Sequence, residues 1–160
     1  MQEIHINWYG PYSLLEVYEL ENTQTDFGIY QIYGSHTIYG SNVLLYVGKA
    51  VLQTFGVRIR QESWEGNKDS GNIEVYVGRL GKSSQCSIEE WQSQITMAEN
   101  LILYACAPAR NSSNIVSLRQ GHEHIHIFNL GQYRDLLPEI SGKRYSSFYS
   151  YEDFTFENIY

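Results

Sequence analysis

The chain has 160 residues, 42% of them hydrophobic, with a formal charge of −7. That length supports one ordinary core and is short for two, so a single unit over 1–160 is expected. No apolar run approaches bilayer length and no basic-then-apolar leader is present, so the expectation is a cytoplasmic protein without membrane contact.

Gly10, Pro11 and Ser13 read as a turn into a short helix that Ser13 caps and that runs to Leu20. Residues 27–33 alternate around apolar β-formers, and residues 42–48 form a β-rich apolar run ending at glycine; both read as strands. The stretch 34–41, with glycine near both ends, reads as a hairpin loop of moderate length. Strand side chains alternate between faces, so Tyr30 lies with Gly28 and Ile32, while Ile29, Gln31 and Tyr33 point the other way. Antiparallel pairing brings Tyr30 and Tyr46 to neighbouring positions.

Lys49 then opens a stretch whose end, toward Trp64, reads as a helix carrying Arg58, Arg60 and Glu62. Arg58 and Arg60 point about 200° apart on such a helix, so only one can face the sheet. Polar loops are expected at 65–72 and 81–85, with a third strand between them over 73–80. A helix is expected from Ser87 to Ala107, with Ser87 and Glu90 as a capping box and Ile88, Trp91, Ile95, Ala98 and Ile102 at helical spacing against the sheet. Cys86 and Cys106 lack metal spacing and read as reduced thiols, Cys106 buried on its helix.

Residues 121–128 read as a strand with His122, His124 and His126 on one face, followed by a short helix ending before Pro138. The aromatic, acidic tail from Tyr145 is expected to pack as an extra layer or to cover a subunit contact. The fold class these elements give is α/β of the α+β kind: a small mixed or antiparallel central sheet flanked by helices, with terminal additions.

Three strings carry a family resemblance when taken together: Gly28-Ile29-Tyr30, then Leu45 to Ala50 with Tyr46-Val47-Gly48 inside it, then Phe55 to Glu62. Glu99 follows on the long helix with Leu101 and Ile102 behind it, and after that come Pro108 and Asn111. Over about residues 27–111 this order resembles the GIY-YIG nuclease superfamily. The resemblance implies a metal-dependent DNA endonuclease. Glu99 would hold one Mg²⁺ or Mn²⁺, and Asn111 would support the Glu99 end of the site. The flanks at 8–13 and 136–139 resemble compact members near the restriction-endonuclease branch, which implies duplex DNA cut by a homodimer. There are two departures. Glu62 stands where the family often has histidine, four residues after the helix arginine, and a longer gap after Gly48 makes Arg60 a rival to Arg58. Ile59 and the family pattern favour Arg58.

Phosphodiester hydrolysis asks for such residues on independent grounds. It needs an attacking water, a base, positive charge on the phosphoryl oxygens and help for the leaving oxygen. Tyr30 is the candidate base; holding a phenol ionised near pH 7 requires about 4 kcal/mol of differential stabilisation, which nearby Lys49, an arginine and a metal would provide. Tyr46 and Lys49 would arrange the nucleophile. Arg58 suits the phosphate because guanidinium presents a planar fork of donors, and Glu99 is a hard oxygen ligand.

Each assignment has a plainer competitor: cross-strand packing for the tyrosines, solvated surface cations for Lys49, Arg58 and Arg60, an exposed helix carboxylate for Glu99 and a loop cap for Asn111. Order and spacing lift the set above these. Acidity pulls the other way, because affinity for nucleic acid rests largely on cations. The charge is −5 over residues 1–48 (five acids, no Lys or Arg), +1 over 49–119 (eight cations, seven acids) and −3 over 120–160 (three cations, six acids), so the centre is least acidic. The histidines read as the polar face of an edge strand in preference to a zinc or nickel site or a phosphate contact, because no acid or cysteine stands at ligand spacing. The rival functional reading is a GIY-YIG-like domain that binds nucleic acid or a protein partner and does not cut.

Overall fold

A computed structural model describes residues 1–65, 72–81, 86–118 and 120–145. Most of both expected polar loops, 66–71 and 82–85, and the tail 146–160 lie outside the described residues. Six strands form one mixed sheet that curls as a half-barrel: β1 Gln2–Tyr12, β2 Gly28–His36, β3 Gly40–Ala50, β4 Glu74–Leu80, β5 Ile125–Gly131 and β6 Glu139–Ser141. Their order is β3-β2-β4-β1-β5-β6, antiparallel except for the β1–β5 pair. Among the described residues three α-helices, α1 Leu14–Tyr18, α2 Phe55–Gln61 and α3 Ile88–Cys106, accompany the sheet in an α+β fold.

The β2–β3 hairpin organises everything that follows. Its strands reach His36 and Gly40, so the turn is only residues 37–39 and the expected longer loop is mostly strand. Tyr30 pairs with Gly48 and Ile32 with Tyr46, which places both phenols on one face as expected. Between Ile32 and Tyr33 the register shifts, leaving Leu45 as an extra residue on β3.

Opposite faces of the sheet carry separate cores. Ile29, Tyr33 and Val47 pack with Ile95, Ala98 and Ile102 of α3, while Tyr30, Ile32 and Val77 pack with Val17 of α1 and with Phe55 and Ile59 of α2. The helical spacing read for α3 is buried from Ile95 onward, whereas Ile88 remains exposed. Capping boxes close both helix starts: Ser13 with Glu16 on α1, and Ser87 with Glu90 on α3. The start of α2 is anchored instead by the chain, through Phe55 N–H to Asp26 O and Gly56 N–H to Leu20 O.

Three expectations are corrected. Gly10 and Pro11 belong to β1 and not to a free turn; the strand runs on past them with a register shift between Tyr9 and Tyr12. The histidine strand starts only at Ile125, because His122–His124 form a 3₁₀ turn, so the three imidazoles do not share a strand face. The stretch before Pro138 is turns and not a helix, closed by Leu136 N–H to Tyr133 O. Both cysteines are free thiols, and Cys106, half-buried at the end of α3, has its pKa pushed up to about 11 by burial. No helix among the described residues is long and apolar enough to cross a membrane.

Candidate active site

Glu62 is the centre of the site, and the sequence marked it only as a departure. Its position follows from α2, whose last turn puts Arg58 and Glu62 four residues apart on one face, above the two phenols. Oε1 of Glu62 accepts from the Tyr30 hydroxyl at 2.6 Å and from the Tyr46 hydroxyl at 3.4 Å, and it lies 3.2 Å from Arg58 Nη2. Oε2 accepts from Trp64 Nε1 at 3.1 Å. Four donors thus converge on one carboxylate.

The two phenols differ in exposure. Tyr30 is 0% exposed, whereas Tyr46 is half-buried, and their rings lie 6.2 Å apart. Gly48 makes room for this: a Cβ there would come within 2.5 Å of the Tyr30 ring and hydroxyl, so only glycine admits the phenol. Burial first, then the charge and hydrogen bond of Glu62, push the Tyr30 pKa far above the ordinary tyrosine value. The pocket as it stands favours the neutral phenol over the phenolate expected as base. Burial and Glu62 likewise push Tyr46 up to about 12, against the lowering influence of Arg58. Burial works against the Arg58 charge, but Tyr30 and Glu62 outweigh it and raise its pKa.

Arg58 and Arg60 separate as helix geometry requires. Arg58 faces the phenols, while Arg60 turns to Glu21 (3.0 Å) and to the Tyr18 carbonyl (3.0 Å).

Lys49 and Glu99 lie around the edge of β3, on the α3 side. Lys49 Nζ is 2.6 Å from Glu99 Oε2, with the two side chains 33% and 11% exposed. Tyr46 and Lys49 lie three residues apart on β3, so the two halves of the site adjoin at this edge strand, and the charge of Glu99 contributes to raising the Tyr46 pKa. Asn111 does something other than expected. Its Oδ1 accepts from Val47 N–H at 3.0 Å and its Nδ2 donates to Val47 O at 2.9 Å, so it caps the edge of β3 and does not support Glu99. Ala109 and Arg110 continue this docking through their N–H groups to the carbonyls of Leu44 and Leu45.

Of the candidate residues, Glu99 alone is expected to ligate a metal. Among the described residues no group of three or more His, Cys, Asp or Glu converges on a metal position. A hard divalent ion is commonly held by one carboxylate, waters and substrate phosphates, so the donor chemistry fits, with Lys49 competing for the same oxygen. His122 is buried, His124 is exposed and His126 pairs with Glu139 at 3.3 Å, remote from this chemistry. A cleft of about 480 Å³ lined by Phe27, Val51, Arg79 and Trp91 contains none of the six candidate residues.

Tyr30, Tyr46 and Arg58 thus gather on one side of β3 around Glu62, Lys49 and Glu99 pair on the other, and Asn111 pins the strand between them. Comparison with protein-family models, with curated proteins and with solved structures returns no match for the chain.

Proposed function

We propose that the chain is a metal-dependent phosphodiesterase acting on DNA, of the GIY-YIG kind that its motifs resemble. The observation that carries the reading is the convergence of Tyr30, Tyr46 and Arg58 on Glu62, with the Lys49–Glu99 pair adjoining at the β3 edge. Two phenols, two carboxylates and two cations drawn from four separate stretches of chain are more than packing requires.

The geometry favours Glu62 as the final proton acceptor and Tyr46, the phenol that reaches solvent, as the group that meets the attacking water. The water oxygen bonds to phosphorus as its proton passes to the Tyr46 oxygen and the Tyr46 proton passes to Glu62. The bond from phosphorus to the leaving oxygen breaks, and solvent protonates that oxygen. Neither phenol need ionise, which suits their raised pKa values. Tyr30 holds Glu62 in place from below, and Arg58 offers its exposed guanidinium edge to the phosphoryl oxygens. A Mg²⁺ or Mn²⁺ bound at Glu99 would supply charge stabilisation for the phosphoryl oxygens.

A second reading is favoured by one specific feature. Arg58 and Glu99 are each neutralised in ion pairs, which is the resting state expected of a GIY-YIG-like module that binds nucleic acid or protein without cutting. Plasmid nicking with Mg²⁺ or Mn²⁺ separates the two. Glu62→Gln and Glu99→Ala should each lower the rate of an active parent at least a hundredfold. A parent that cuts neither DNA nor RNA leaves the binding module.

A further inference from the structure

Arg110 is a cation that neither the motifs nor the proposed chemistry use. It sits where segment 109–111 docks along the outer edge of β3, its N–H bonded to Leu45 O at 2.8 Å. That anchorage carries the guanidinium over Trp64, at 5.9 Å from the ring centroid. Trp64 is itself part of the site: its indole N–H bonds Glu62, and its ring lies 5.7 Å from that of Tyr46. Arg110 therefore stands one aromatic ring beyond the phenol that meets the water.

Its charge is unspent. Arg58, Arg60, Arg79 and Arg134 each have a carboxylate within 3.2 Å, whereas Arg110 has no ion pair with any described residue. Lys49 and Arg58 against Glu62 and Glu99 sum to 2 − 2 = 0, and Arg110 brings the cluster to +1. In a chain of net charge −7, that guanidinium gives these five groups a net positive charge at short range.

We propose that Arg110, held over Trp64, grips a backbone phosphate of the substrate strand next to the scissile one. This rests on the nucleic-acid reading above. Guanidinium forks match phosphate oxygens, and the position over Trp64 preorganises a side chain that would otherwise lose rotamer freedom on binding.

Binding of a fluorescein-labelled DNA duplex, followed by anisotropy in EDTA over a salt series, tests it. Arg110→Gln should weaken binding roughly fivefold near 0.15 M salt and flatten the dependence of log K on log salt by about 0.9. Arg110→Lys, which keeps the charge, should restore the slope. Arg60→Gln, whose guanidinium is tied to Glu21 and Tyr18 away from the site, should change neither. The Arg110 N–H that covers the β3 edge survives in both variants, so the fold should hold. An unchanged slope and affinity in Arg110→Gln, with a parent that binds and cuts DNA, overturns the assignment and leaves the hydrolase reading standing. A parent that neither binds nor cuts any nucleic acid overturns both.

Discussion

The Tyr30 hydroxyl donates a 2.6 Å hydrogen bond to Glu62, thirty-two residues along the chain, and so ties the centre of the sheet to the end of α2. Bonds to a charged acceptor contribute about 1.5–3 kcal/mol. Tyr30→Phe should therefore lower stability by about that much in urea unfolding. Because Tyr30 is fully buried, nicking should fall less than tenfold. A larger loss of activity than Tyr46→Phe causes would return the proton-transfer role to Tyr30.

Tyr46→Phe should behave in the opposite way. Its hydroxyl is 3.4 Å from Glu62, too long to contribute much to stability, yet it is the phenol nearest solvent. The unfolding midpoint should stay nearly constant while single-turnover nicking drops a hundredfold or more. Equal rates for parent and variant would remove Tyr46 from the chemistry.

The buried phenols also set an alkaline limit. Tyr46 titrates at about 12 in the folded chain against 10.0 as its ordinary value, and Tyr30 moves in the same direction. Since folding favours the protonated phenol, this stabilisation is fully present below pH about 10 and is lost as pH rises toward 12. Urea midpoints should fall across that window in the parent, and less steeply in a Tyr30→Phe, Tyr46→Phe double variant. Parallel slopes for the two proteins would contradict the assignment.

Much of this was legible in the sequence, for identifiable reasons. The β2–β3 hairpin and α3 announced themselves because their periods are strong and their starts are marked by Gly28, Gly40 and the Ser87–Glu90 box. The β1 strand was hidden by Gly10 and Pro11, although Ile4, Ile6 and Trp8 alternate as buried positions against exposed Glu3, His5 and Asn7. The histidine pattern misled because period two fits a strand equally well before one knows that Gly121, at φ 92°, breaks the chain into a turn. Helix geometry left either arginine able to face the sheet, and only tertiary contacts turned Arg58 inward. Glu62 was visible as a substitution, and its i,i+4 spacing from Arg58 was the available signal. The role of Asn111 was not legible, since an asparagine that pairs with a strand edge looks like any loop residue.

Lys49 and any metal bound at Glu99 compete for one carboxylate oxygen. Lys49→Met should cost about 1–3 kcal/mol in EDTA, because Glu99 is left largely buried without its partner. Mn²⁺ should then raise the melting temperature more in the variant than in the parent, since the ion meets no competing ammonium. Mn²⁺ paramagnetic resonance should give a smaller Kd for the variant. Identical Mn²⁺ affinity in both proteins would show that the ion does not bind at this carboxylate.

Gly48→Ala probes the whole arrangement through a single methyl group. Because its Cβ would fall 2.5 Å from both the Tyr30 hydroxyl and the ring carbon that bears it, and 2.7 Å from the Tyr46 ring, one or both phenols must move. Overpacking of this sort costs about 1–3 kcal/mol. Displacing the rings also breaks their bonds to Glu62, so activity should fall along with stability. The double variant Gly48→Ala, Tyr30→Phe separates the two effects: with the Tyr30 hydroxyl gone, one close contact and the Tyr30–Glu62 bond are already lost, so the alanine should cost less than it does in the parent. Strict additivity in unfolding free energy would mean that the strain does not run through the Tyr30 hydroxyl.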